Sequence, residues 1–252
     1  MTRIGLVDWR LPVTGPDAVS LAARLGVDGI QLDLGGPCRA PALDAPERLR
    51  SVRKAFSRTG IAPLAVSVNT LNDIGITVAD AAAEVRQVIT RALHAAVELG
   101  AGLVFLPSFR RSAITGPRQL ARTAEVLRWA CAEAERRGLL LASENVLQPS
   151  ELRLLIEQVG SSAFRIVLDT GNPAKAGLDP VEVIRAAGDT LADQVHLKNP
   201  DDRLPLSVNA PAVLGAIREL EHTDVFVLEN DHRDGDLRRL GADLEWVRLA
   251  LN

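Results

Sequence analysis

164-FRIVLD-169 is an apolar, strand-like run that ends on a carboxylate, and three other runs share its form: 139-LLLASE-144, 192-ADQVHLK-198 and 224-DVFVLE-229. Short apolar runs of this kind suit strands buried on both faces, as in a parallel sheet. Their polar ends, Glu144, Asp169, His196 and Glu229, follow one another at intervals of 25, 27 and 33 residues, about the length of one strand-plus-helix unit of an eightfold barrel. Four more runs precede them: 3-RIGLVD-8, 29-GIQLD-33, 61-IAPLAVSV-68 and 102-GLVFLP-107. Segments of helical period, rich in Ala, Leu, Arg and Glu, fall at about 17–25, 45–58, 78–99, 117–137, 150–159, 180–188, 210–221 and 236–251. Cap chemistry marks several starts, at Asp17 after Pro16, at Thr77, and at Asp179 before Pro180. Gly26, Gly60, Gly100, Gly138 and Gly160 mark ends. Eight alternating units without a long insert predict an α/β fold, a closed (β/α)8 TIM barrel covering residues 1–252 as a single domain. An open doubly wound sheet is the structural alternative, and the GxGxxG loop that favours a dinucleotide there is missing.

The chain has 252 residues, close to the usual length of such a barrel, with 29 Lys and Arg against 32 Asp and Glu. That balance offers no global field for nucleic acid or an anionic membrane, which leaves a small molecule as the expected partner. Neither a charged-then-apolar leader nor an apolar run near the length of a membrane span is found, so a cytoplasmic protein is expected. Cys38 in a Gly/Pro loop and Cys131 in a helical segment, without CxxC spacing, read as reduced thiols.

A polar residue at the end of a buried strand can simply mark where the chain meets water. Four of them on successive units point to something else, because parallel barrel strands aim their carboxyl ends at one mouth. Three carboxylates and one imidazole converging there make a site for one divalent cation bound by Glu144, Asp169, His196 and Glu229. So hard a donor set suits Mn2+, Mg2+ or Co2+ better than a thiolate-type zinc site, with Zn2+ still open.

In these motifs, 141-LASENV-146, 166-IVLDTGN-172, 195-VHLKN-199 and 225-VFVLEN-230, the chain resembles the sugar-phosphate isomerase/epimerase family with the xylose isomerase-like TIM barrel. Weaker echoes occur in 26-GVDGIQLD-33 and 66-VSVNTL-71, so the resemblance spans essentially the whole chain. It implies a metal-dependent isomerase or epimerase acting on a sugar-like, polyhydroxylated carbonyl compound through a metal-stabilised enediolate, with Mn2+ the foremost ion. Glu144 and Glu229 are then also the acid/base pair, and a homodimer is implied. A dehydratase of an inosose or a dehydroshikimate-like ring, with specialised biosynthesis as its setting, shares the first half of that chemistry and is the alternative. The family's DNA-repair members build multi-zinc clusters from many histidines, and this chain has four in all. A non-catalytic binding subunit is the reading from a different class.

Two departures from the family pattern bear on substrate. Asn172, followed by Pro173, stands where relatives often hold a histidine, and Asn199 stands where an acidic residue often follows the HxK motif. The loop 200-PDDRLPLSVN-209 lacks the Gly-rich acidic motif common there. A substrate other than simple ketohexoses is therefore expected. Arg203 lies near the place of a substrate-covering arginine, and Lys198 is placed to neutralise an enolate or to pair with a barrel carboxylate. Asn69 and Ser108, at the ends of the third and fourth strands, are candidates for substrate hydroxyls, or ordinary loop caps. Trp9 and Phe109 offer an apolar wall. Of Gln31 and Asp33, one should face the interior near the mouth. His232 reaches substrate or is a solvated loop residue. His94 and His222 read as structural, and the Arg-rich stretches as solvated helix faces.

Overall fold

The computed structural model describes residues 2–37, 39–220 and 223–251. Cys38, His222 and the expected helix end at Glu221 lie outside the described residues. In chain order the elements are β1 (Arg3–Val7), α1 (Pro16–Leu25), β2 (Gly29–Asp33), α2 (Pro46–Thr59), β3 (Ala62–Ser67), α3 (Leu71–Ile74), α4 (Ala82–Leu99), β4 (Leu103–Pro107) and α5 (Pro117–Glu135). Then follow β5 (Leu140–Glu144), α6 (Pro149–Val159), β6 (Phe164–Asp169), α7 (Gly171–Lys175), α8 (Pro180–Ala187), β7 (Leu191–Leu197), α9 (Ala210–Arg218), β8 (Val225–Leu228) and α10 (Leu237–Ala250). All neighbouring strands pair in parallel, and β8 closes on β1 to complete the eight-stranded barrel. The expected architecture is the observed one.

Closure gives the strands two different apolar environments, which is why their runs are continuous rather than alternating. Outward residues such as Ile30, Leu32, Val104, Leu106, Ile166, Leu168, Val195 and Leu197 pack with the helices in one large core. Alternate residues turn inward and form two smaller clusters, Leu103, Phe105, Ala142, Val167 and Ala192 in one, Val7, Leu64, Val225 and Val227 in the other. A Cβ on Gly5 or Gly29 would lie 2.5 Å from Leu64, so two strands give up side chains to let Leu64 fill the floor.

The helix starts show where local sequence decides and where it does not. Asp179 caps α8 by accepting from Val181 N at 2.9 Å, with Pro180 in the first turn, as expected. Asp17 instead lies inside α1, behind a Gly15 cap, and α4 begins at Ala82 after a short 3-10 turn rather than at a Thr77 cap. The loop running to α4 is held by backbone bonds of its own, and these outweigh a lone hydroxyl. Gly26, Gly60, Gly100 and Gly160 close α1, α2, α4 and α6. Two short helices, α3 and α7, sit in the loops after β3 and β6 and carry no sequence periodicity to announce them.

Asp8 ties the first loop to the second strand. Its buried carboxylate accepts from Gly15 N at 3.0 Å and from Asp33 N at 2.9 Å. Burial nevertheless lifts it from 3.8 to about 7. A carboxyl whose folded value lies above its unfolded one contributes stability that is complete below about 3.8 and is lost as pH rises through about 7. Asp8→Asn is therefore expected to flatten the fall in stability across that window, measured by urea unfolding at a series of pH values. An unchanged pH slope in the variant would remove Asp8 as its source.

Candidate metal centre

Four neighbouring strands supply one half of the mouth. β5 ends on Glu144 and β6 on Asp169, His196 is the penultimate residue of β7, and Glu229 follows the last residue of β8. Register pairs Asp169 with His196, and Glu229 N continues the ladder to Leu197 O at 3.0 Å. Each of the four residues offers one ligand atom, and these atoms lie within 4.8 Å of one another, all on buried residues. The structure thus brings together the four residues expected from the sequence.

The residues present fit a divalent ion. Asp169 Oδ2, His196 Nδ1 and Glu229 Oε2 are buried and make no hydrogen bond. Burying such an atom without a partner is costly, and three of them facing one point is an arrangement that a cation resolves. Asp169 Oδ1 is already engaged by Gly171 N at 2.8 Å and by Asn172 N, which leaves Oδ2 for the cluster. Gly171 is required there, since a Cβ would stand 2.9 Å from Asn199 O. Oxygen predominates in the donor set, which suits a hard divalent cation.

A directional chain of amides beneath the cluster orients the imidazole. Gln194 Nε2 donates to Leu64 O at 2.9 Å, so its carbonyl oxygen points the other way and accepts from Gln31 Nε2 at 3.0 Å. Gln31 Oε1 is then left for His196 Nε2, 2.9 Å away. Because a carboxamide oxygen only accepts, Nε2 must carry the proton. His196 Nδ1, which lies 3.1 Å from Glu229 Oε2, is thereby aimed at the ligand cluster. Gln31 and Asp33, two residues apart on β2, share the inward face, Gln31 beneath the cluster and Asp33 nearer the mouth, where it accepts from Asn69 N at 3.1 Å.

Electrostatics set the four groups apart. Burial, helped by the charge of Glu229, lifts Glu144 to about 8, and burial lifts Asp169 to about 6. Burial acts in the same sense on Glu229, but Lys198, His196 and Arg10 outweigh it and hold this carboxyl well below its ordinary value. Lys198 Nζ is 3.8 Å and Arg10 Nε 3.9 Å from Glu229, and Trp9 Nε1 donates to it at 2.9 Å. His196 and Lys198 are raised in turn, the surrounding carboxylates overcoming burial.

Above the cluster opens a cavity of about 510 Å3 whose wall includes Glu144 and Glu229. Trp9, Asn69, Asn172 and Lys198 line it, as does Phe109. Asn172 Nδ2 donates to Glu144 at 2.9 Å, so the residue that departs from the family pattern touches an expected acid/base group. The Trp9 ring tilts over Phe105, centroids 5.8 Å apart, and Phe105 meets His196 edge-on at 5.4 Å. Ser108, Arg203 and His232 are outside the lining. Ser108 N bonds Glu144 O, and strand alternation puts its side chain on the face opposite Pro107, buried. Arg203 is exposed at the surface, 3.9 Å from Asp231. His232 is buried behind the mouth with Nε2 3.5 Å from Asp243 of α10. Conversely, Arg10, Arg39, Asn72, Arg110, Lys175 and Arg233 line the cavity and were not singled out from the sequence. They sit in loops and single turns, where no periodicity distinguishes them.

Residues 19–250 match the family described as the xylose isomerase-like TIM barrel. The chain is 47% identical, over 98% of its length and 94% of the relative's, to a 2-epi-5-epi-valiolone 7-phosphate 2-epimerase of Actinoplanes sp. strain SE50/110. Among solved structures it resembles a 3-keto-D-glucoside 4-epimerase from E. coli (TM-score 0.79, 17% identity, 99% of this chain and 100% of that one). It also resembles a D-psicose 3-epimerase from Clostridium cellulolyticum H10 crystallised with D-tagatose (TM-score 0.76, 15% identity, 100% of both chains). The protein belongs to the xylose isomerase-like TIM barrel family, within its sugar-phosphate isomerase/epimerase group.

Two outcomes test the centre. A divalent ion selects ionised ligands, so loading at pH 7 should release protons, chiefly from Glu144, and affinity should rise with pH to about 8. Calorimetry in buffers of different ionisation enthalpy reads this, and ion binding without proton release at pH 7 would contradict it. Gln31→Leu removes the acceptor that fixes the imidazole and is expected to weaken ion binding about 10- to 100-fold. Binding at the wild-type level would show that the amide chain does not act on the ligand.

Proposed function

We infer that the protein is a divalent-metal-dependent epimerase of a phosphorylated polyhydroxy ketone, working as one domain over residues 1–252. The observation that carries this reading is the convergence of Glu144, Asp169, His196 and Glu229 on one point, with three orphaned ligand atoms, under a cavity that Glu144 and Glu229 also line. The relative's name supplies the substrate class, a hydroxyketone bearing a phosphate and inverted at carbon 2.

Glu144, Asp169, His196 and Glu229 would hold a divalent ion, Mn2+ foremost and Mg2+, Co2+ or Zn2+ as alternatives, which would supply polarisation of the ketone and so acidify the neighbouring C–H. The chain does the rest. Glu229 is fixed by Trp9 and flanked by Lys198, while Glu144 is fixed by Asn172, so the two carboxylates address the cavity from separately anchored positions. One takes the proton from the carbon beside the carbonyl and the other returns a proton to the opposite face, which inverts the centre. Lys198 offsets the negative charge that develops between those steps. Asn172 holds Glu144 by an amide that neither gains nor loses a proton near neutrality, so it positions the acid/base group without competing for its proton. Trp9 walls the ring face and Asn69 offers an amide to hydroxyls. Ser108, Arg203 and His232 have no contact with substrate in this reading.

The homodimeric state implied by the resemblance, and the cytoplasmic location expected from the sequence, form part of the same reading. Among the described residues no helix is long and apolar enough to cross a membrane.

The test is incubation of the metal-loaded enzyme with 2-epi-5-epi-valiolone 7-phosphate in deuterated water. One deuteron should enter at the epimerised carbon, and Glu144→Gln and Glu229→Gln should each slow its entry by about 10²- to 10⁴-fold. A variant that still binds metal and exchanges at the wild-type rate takes that residue out of the mechanism. Loss of water from the ketone, in place of an epimer, would make the protein a dehydratase.

A further inference from the structure

The metal ligands occupy the β5 to β8 half of the mouth, and the opposite half holds a compact cationic corner. Arg39, from the loop after β2, donates through Nε and Nη2 to Asp73 Oδ2 at 2.9 and 2.7 Å. Arg110, from the turn after β4, places Nη2 3.0 Å from Asp73 Oδ1. Two guanidinium groups therefore share the Asp73 carboxylate, and the buried carboxyl of Asp33 is a second anion near Arg39. Arg39 Nη1 and Arg110 Nε and Nη1 have no hydrogen-bond partner among the described residues. Both side chains line the same cavity as Glu144 and Glu229.

The corner is built rather than fortuitous. Arg110 is the one non-glycine residue with a positive φ, 49°, among the described residues, a conformation that persists only where the surroundings hold it. They do so here. Asn72 Oδ1 accepts from Phe109 N at 2.8 Å, Ser112 Oγ donates to Leu71 O at 2.6 Å and accepts from Ile76 N at 2.8 Å, and Arg111 Nη1 donates to Asp73 O at 3.2 Å. These bonds lock the turn after β4 to α3, the helix that carries Asp73.

The wall as a whole favours an anion. Six cations line the cavity (Arg10, Arg39, Arg110, Lys175, Lys198 and Arg233) against three carboxylates (Glu144, Asp202 and Glu229), a surplus of three in a chain whose net charge is −3. Most of these cations are committed elsewhere. Arg10 pairs with Asp202 at 3.1 Å, Arg233 with Asp231 at 2.7 Å, and Lys198 lies over the metal ligands, while Lys175 is a single exposed ammonium. Arg39 and Arg110 bring two guanidinium groups to one carboxylate with N–H groups to spare, the geometry that matches the oxygens of a phosphate, whereas Arg10 and Arg233 are held by Asp202 and Asp231.

We propose that Arg39 and Arg110, held together by Asp73, form a phosphate-monoester subsite that takes the far end of the substrate whose carbonyl end meets the β5 to β8 ligands. The assignment rests on the epimerase reading for the identity of that substrate. The subsite accounts for specificity as well, because a ketone without a phosphate offers no anion to the N–H groups of Arg39 and Arg110 that Asp73 leaves free.

Arg39→Met and Arg110→Met are the variants, with Arg53→Met, which breaks only a surface pair with Glu98, as the control. Each corner variant should raise KM for 2-epi-5-epi-valiolone 7-phosphate by about 10- to 100-fold with kcat little changed, and should weaken binding of inorganic phosphate, followed by 31P NMR, by a similar factor. Any turnover of the unphosphorylated ketone should be unaffected. Arg110→Lys, which keeps the charge and the fold but loses the fork, should fall between wild type and Arg110→Met. Wild-type KM for the phosphorylated ketone in both Met variants would overturn the subsite and leave the epimerase reading intact. Turnover of neither ketone by the wild type would overturn the epimerase reading, and the phosphate titration then decides the subsite alone. Phosphate binding equal in wild type and both variants overturns it.

Discussion

Three carboxylates and an imidazole buried at one end of a closed barrel are the constraint to which the rest of the molecule answers. Taking an ionised group out of water costs several kcal/mol, and like charges held together add to it. The fold meets this cost locally. Lys198, Arg10 and Trp9 converge on Glu229, Asn172 serves Glu144, and backbone N–H groups after β6 serve Asp169. What remains unmet is one atom each of Asp169, His196 and Glu229, and these are the atoms left for an ion. The site is in this sense defined by the hydrogen bonds it lacks.

The same logic runs down the barrel axis. A side chain in the interior must either be apolar and fill space or be polar and fully paired. Leu64, Phe105 and Val227 take the first course, and the amides of Gln31 and Gln194 take the second. The amides also carry orientation. A backbone carbonyl at Leu64 fixes Gln194, Gln194 fixes Gln31, and Gln31 fixes which nitrogen of His196 faces the cluster. An apolar pair in their place would pack the barrel as well and leave the imidazole free to choose its tautomer.

The mouth divides its work between its two halves. Strand ends β5 to β8 place groups on rigid backbone at the register of the sheet, which suits proton transfer and metal ligation. Loops after β2, β3 and β4 carry Arg39, Asn72, Asp73 and Arg110, which meet only because those loops are bonded to one another. Such loops can change without disturbing the ladder, and this is how one barrel comes to serve many substrates.

The sequence by itself determined the eight-unit barrel and the four converging residues, because continuous apolar runs at a near-constant spacing admit few topologies and strand ends of a parallel barrel must meet. It also marked Trp9, Asn69, Asn172 and Lys198, each on or just beyond a strand end. Position at a strand end misled at Ser108, whose side chain alternation turns away from the cavity, and proximity in sequence misled at His232, whose ring packs back toward Asp243. Only the tertiary structure decided the cationic corner and the amide chain. Arg39, Asp73 and Arg110 are far apart in the chain and sit in segments without period, while Gln31 and Gln194 lie 163 residues apart and face each other across the barrel interior. Periodicity reports which face of an element is buried; it carries no information on which buried or loop residues from distant units will be brought into contact.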